Sequence, residues 1–134
     1  VDSMNDPERI KVFKEEAQEL LTKLREGLSH WYEPSGGAHN PQAAQELFRC
    51  AHTLKGLAGA VQQQALAELS KALTEILRAV KDGRATLTNG QLPLLLRSVN
   101  ACQALIEQRR IAEYETLLNA LHEAGQRPTG SPSG

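Results

Sequence analysis

The sequence predicts an all-α protein, an antiparallel four-helix bundle with a fifth, C-terminal helix. Three observations predict it. The 134 residues are 40% hydrophobic but only 4% aromatic, and the commonest side chains (Ala, Leu, Glu, Gln) are strong helix formers. Apolar residues recur at steps of three and four through long stretches, the period of a helix with one buried face. Between these stretches lie short clusters of Pro, Gly, Ser, Asn and Asp, the residues that break helices and form turns.

Taken in order, the first helix runs from about Pro7 to Tyr32, with Ile10, Phe13, Ala17, Leu20, Leu21, Leu24, Leu28 and Trp31 on one stripe. Asp6 stands at its N-cap, Pro7 in its first turn and Glu8 at the positive end of the helix dipole, each a favourable placement. EPSGGAHNP, Glu33 to Pro41, is turn chemistry and predicts a loop. The second helix extends from about Pro41 to Val61. The third, from about Gln64 to Lys81, carries Leu66, Leu69, Leu73, Ile76, Leu77 and Val80, and the break between the two at Gln62 to Gln64 is weakly marked. DGRATLTNG, Asp82 to Gly90, places Gly83 where a helix C-terminal cap wants glycine. The fourth helix, about Leu92 to Gln108, presents Leu95, Leu96, Val99, Cys102, Leu105 and Ile106. Past Arg109 and Arg110 the pattern resumes at Ile111, Tyr114, Leu117, Leu118 and Leu121, a fifth helix ending near Ala124.

Amphipathic helices joined by short connections bury their stripes most economically against one another, as an antiparallel bundle. Residues 1–124 therefore form one domain, and GQRPTGSPSG, residues 125–134, reads as a flexible linker or tail to further chain. A net charge of −1 offers no broad basic surface for nucleic acid or anionic membrane, so protein partners are expected. There is no signal-peptide pattern and no apolar run approaching the ~20 residues of a membrane span, which points to the cytoplasm. Cys50 and Cys102 are expected to be reduced, packed as small apolar side chains.

The second helix holds the chemistry. On a wheel of about 100° per residue, Leu47, Ala51, Leu54, Ala58 and Val61 share one direction and form the core seam. His52, Gly56 and Gly59 lie roughly 120–180° away on the solvent side, with Lys55 and Phe48 on the flank between. Each glycine costs about 1 kcal/mol relative to alanine inside a helix, and on an exposed face neither contributes packing. What they provide is clearance: a bulky group can reach His52, and another protein can approach the backbone. An exposed imidazole can act as a nucleophile toward phosphorus, and Lys55 at i+3 can stabilise phosphoryl oxygens. Phe48 at i−4 borders the site, and Gln63 extends the same partner-facing side.

At these residues the chain resembles a known family. AHTLKGLAG, Ala51 to Gly59, is similar to the histidine-containing phosphotransfer (HPt) signature, His-x-x-Lys-Gly followed by small residues. FKEEAQELLTKL, LFRCAHTLKG and LTEILRAVKDG resemble more particularly the N-terminal phosphotransfer domain of CheA chemotaxis-type histidine kinases. The resemblance covers about Ile10 to Gly83 in motifs and the last two helices by pattern. It implies that His52 accepts a phosphoryl group from a kinase domain, that Lys55 holds that group, that Gly56 keeps the face open, and that a receiver-domain aspartate is the next acceptor. It further implies that the module belongs to a multidomain kinase.

Two positions depart from the chemotaxis-type pattern. A glycine of the family falls on Gln62. A glutamate that hydrogen-bonds the histidine falls on Thr74, with Glu75 one place on and Lys71 and Arg78 on the same side of the third helix. Thr74, Glu75, Lys71 and Arg78 are thus the candidates for the second layer around His52, the first two as hydrogen-bond partners and the cations as sources of positive potential. No Gly-rich phosphate loop and no Ser/His/Asp arrangement is present; ATP and magnesium are expected on the partner kinase domain, and no cofactor in this chain. His30, His39 and His122 lack the spacing of metal ligands and read as ordinary surface residues. The competing reading is a helical adaptor bundle that binds a signalling partner without accepting phosphate.

Overall fold

The computed structural model describes residues 7–31, 41–85, 87–88, 90–108 and 114–126. Among the described residues five helices follow one another: α1 (Pro7–His30), α2 (Pro41–Ala60), α3 (Gln64–Lys81), α4 (Leu92–Ile106) and α5 (Tyr114–Gln126). No strand occurs among the described residues, and no described helix is long and apolar enough to cross a membrane. Expected and observed ends agree to within two residues where both are described. α1 and α4 stop two residues short of expectation, and α5 continues through Gly125 and Gln126. The expected N-cap Asp6, residues 33–40 of the expected loop 33–41 and residues 127–134 of the expected tail 125–134 lie outside the described residues, and the first two residues of that tail belong to α5.

α1 packs on α2 and α4, α2 packs most extensively on α3, and α3 packs on α4. These contacts close a four-helix ring, and α5 lies against α3 and α4. Each of the four helices turns a leucine-rich stripe inward: Leu21, Leu24 and Leu28 from α1, Leu47 and Leu54 from α2, Leu66, Leu69, Leu73 and Leu77 from α3, Leu92 and Leu95 from α4. Leu117 and Leu121 of α5 join them. α3, contacted from three sides, also buries Ser70 and Thr74. Burial of a hydroxyl is costly unless it is bonded, and both are: each donates to the carbonyl one turn back, Ser70 to Leu66 and Thr74 to Ser70, at 2.7 Å. Cys50 and Cys102 are free and buried, and burial pushes the Cys102 thiol up to about 12, far from the reactive thiolate range.

The chain ends α2 and α3 with the same device. Gln63 donates its N–H to the Ala58 carbonyl at 2.8 Å and Gln62 to Gly59 at 3.1 Å. Arg84 and Gly83 repeat these bonds to Ala79 and Val80 at 2.8 and 3.1 Å. This is the paired-bond cap in which one residue turns left-handed. At α3 that residue is Gly83, φ +80°; at α2 it is Gln62, φ +60°. The α2–α3 break is weakly marked in the sequence for this reason: a glutamine occupies the position where glycine would announce the turn.

Candidate functional site

The α2 seam divides the helix as the wheel requires. Leu47, Ala51, Leu54 and Ala58 are at most 2% exposed, whereas Val61, at the end of the seam, is half-buried. On the far side His52, Gly56 and Gly59 are exposed. Apart from its chain neighbours and its own helix backbone, a Cβ placed on Gly56 or Gly59 would meet no described atom within 4 Å, so packing among the described residues dictates neither glycine. Lys55 is half-buried, one turn after His52. Its charge has no ion-pair partner among the described residues. Gln63 is half-buried in the α2–α3 turn, its carbonyl accepting from the Ala67 N–H at 2.9 Å.

Phe48 does more than border the site. Its ring and the His52 ring are stacked, with centroids 5.7 Å apart and planes inclined by 18°. From α3, the Arg78 guanidinium carbon stands 5.2 Å and the Lys81 Nζ 5.1 Å from the Phe48 ring centroid, within the range of cation–π attraction. Lys81 also donates to the Asp82 carboxylate at 3.0 Å. That bond, with Arg84 adding a weaker one, holds the Asp82 carboxyl below its ordinary range.

The four second-layer candidates on α3 separate. Thr74 is 1% exposed and its hydroxyl is committed to the Ser70 carbonyl, so its donor is spent inside its own helix. Lys71, Glu75 and Arg78 are exposed and line an open cleft of about 300 Å³ shared with Leu121 and His122 of α5. Of the four, only Arg78 is tied to the His52 surface, through Phe48. No described side chain hydrogen-bonds the His52 ring, and no cluster of His, Cys, Asp and Glu able to hold a metal occurs among the described residues.

Lys81 is the site residue that sequence reasoning missed. Its signal was present, since it stands three residues after Arg78 and so shares a face of α3 with it. A second depression, about 280 Å³, lies between α1 and α2 and is lined by Val12, Phe13, Leu57, Ala60 and Val61, with Glu8, Arg9 and Glu16 around it. Val12, 44% exposed, is the large apolar side chain the described surface leaves open, and Ala60 is one turn on from Gly56.

Comparison with known families matches the chain to the Hpt domain over residues 8–124. The chain belongs to the Hpt family, the helical class of phosphotransfer modules in two-component signalling. Its relatives are chemotaxis proteins. The CheA protein of Borreliella burgdorferi is 28% identical over 106 residues, 79% of this chain and 12% of that protein. The CheA protein of Treponema pallidum is 31% identical over 103 residues, 76% of this chain and 12% of that protein. That of Halobacterium salinarum is 26% identical over 99 residues, 74% of this chain and 14% of that protein. The chain thus spans about an eighth of the length of these relatives.

Proposed function

We propose that this domain carries a phosphoryl group on His52 between a histidine-kinase catalytic domain and the aspartate of a response-regulator receiver domain. One observation carries the reading: in an Hpt-family chain, the imidazole of the His-x-x-Lys-Gly motif lies exposed on α2, with open space over Gly56 and Gly59 beside it. A neutral imidazole nitrogen attacks the γ-phosphorus of ATP held by the kinase domain. The new P–N bond forms as the P–O bond to ADP breaks, and ADP leaves with that electron pair. In the second step the receiver aspartate oxygen attacks the same phosphorus, the P–N bond breaks and the imidazole recovers its lone pair.

Phosphoryl transfer asks of the protein mainly position and charge stabilisation. His52 supplies the nucleophile, and Lys55 supplies a cation one turn along the helix for the equatorial oxygens. Arg78 adds positive potential from α3. Gly56 and Gly59 leave the backbone beside His52 open to the partner. ATP and magnesium enter with the kinase domain.

Incubation with ATP and magnesium alone should leave this domain unlabelled. Addition of a CheA-type kinase domain should give a label that is lost in acid and kept in base, and His52→Gln should abolish it. A label retained in His52→Gln overturns the assignment. Receiver binding without transfer, under any kinase, would favour the adaptor reading instead.

A further inference from the structure

We propose that Phe48 is the positioning residue for His52, and that Arg78 and Lys81 hold Phe48 in place for that purpose. The inference rests on the phosphotransfer reading of His52 and adds how the nucleophile is oriented.

An exposed histidine on a helix samples several side-chain rotamers, and transfer to phosphorus is fast only when the attacking nitrogen is held in line. A hydrogen bond from a neighbouring side chain would do this, but none reaches the ring from the described residues. The Thr74 hydroxyl is spent on the Ser70 carbonyl, and Glu75 lines the cleft toward α5. What does touch the imidazole is Phe48, one turn earlier on the same helix and stacked on it at 5.7 Å and 18°, an offset-stacked geometry.

A stack differs from a hydrogen bond in one useful respect. It fixes the plane of the imidazole through its π face, while the nitrogen lone pair, which lies in the ring plane, stays free for phosphorus. The stack orients only if Phe48 is itself fixed. Phe48 is half-buried and packs against the core, and two cations from α3 stand about its ring, Arg78 at 5.2 Å and Lys81 at 5.1 Å. Lys81 is tethered in turn by Asp82 at 3.0 Å. The two cations therefore tie α3 to the reacting ring through Phe48.

The test uses phosphoramidate, a small phosphodonor that needs no partner protein. The imidazole nitrogen forms a P–N bond as the donor's P–N bond breaks and ammonia leaves. Phosphohistidine formation would be followed by phosphorus NMR, and the His52 ring protons by proton NMR, in the wild type, Phe48→Leu, Phe48→Tyr and the pair Arg78→Gln with Lys81→Gln. Phe48→Leu should remove the ring-current displacement of the His52 protons and slow labelling by about tenfold, the scale of a lost orientation. Phe48→Tyr should keep both. The double cation variant, which removes no core side chain and is expected to fold whatever Phe48→Leu does, should move the His52 protons part of the way and slow labelling by about threefold.

Labelling of Phe48→Leu or of the double variant at the wild-type rate overturns the positioning role while leaving His52 as acceptor. A wild type that takes no phosphoryl group at His52 overturns the phosphotransfer reading itself, and the positioning role with it.

Discussion

Gly27 and Gly56 both sit inside helices of one bundle, on α1 and α2, and the structure gives them opposite reasons to be glycine. A Cβ on Gly27 would lie 2.6 Å from Cδ2 of Leu47, inside the α1–α2 contact. A Cβ on Gly56 would meet nothing within 4 Å. Both accept the same backbone penalty of roughly 1 kcal/mol relative to alanine. At Gly27 the return is close approach of two helices; at Gly56 nothing among the described residues returns it, and the compensation lies in what another molecule can reach. A helix glycine therefore says little until its face is known.

Substitutions on the two sides of α2 should have distinct effects on stability and on transfer. The largest effect on stability belongs to the seam: Leu54, 0% exposed, changed to alanine should cost about 2–5 kcal/mol, read by urea unfolding. A loss below about 1 kcal/mol would mean that the α2 seam is not tightly packed into the core. Next come the glycines, with opposite signs. Gly27→Ala must push Leu47 aside in a packed seam, and overpacking of about 1–3 kcal/mol exceeds the propensity gain, so the melting temperature should fall. Gly56→Ala and Gly59→Ala should each stabilise by about 0.5–1 kcal/mol, while transfer from a kinase domain slows because a methyl group now stands on the approach to His52. Stabilised variants that transfer at the wild-type rate would remove the access explanation.

The smallest effect concerns the caps. Gln62 holds φ +60° where α3 uses Gly83 at +80° in the same hydrogen-bonded turn. A side chain in that region costs about 1–2 kcal/mol, partly offset by the greater chain entropy glycine loses on folding. Gln62→Gly should therefore raise stability by about 0.5–1 kcal/mol, and Gly83→Gln should lower it by a similar amount. Equal stability of Gln62→Gly and wild type would show that the α2 turn carries no strain.

Much of this was legible in the sequence, for identifiable reasons. Helix positions and the inward stripe follow from steps of three and four, a local property, so Leu47, Ala51, Leu54 and Ala58 and the exposure of His52 and Gly56 could be read directly. What could not be read depends on how two helices are rotated against each other. The wheel places Phe48 beside His52, but only the α2–α3 packing brings Arg78 and Lys81 onto its ring. Thr74 and Glu75 are adjacent in sequence, yet the same packing sends one into the core and the other toward the α5 cleft. Gly27 carried no signal of its role, because the atom it accommodates belongs to Leu47, twenty positions away.

On the reading proposed above, the exposed face of α2 presents His52 for phosphoryl transfer. The most direct measurement is to locate the modification: phosphorylate the domain with a CheA-type kinase and ATP, digest at alkaline pH and read the site by tandem mass spectrometry. One phosphoryl group on the peptide that contains His52, and on that imidazole, is the predicted result. A phosphoryl group on His30, on His122 or on a hydroxyl, with His52 unmodified, would contradict it.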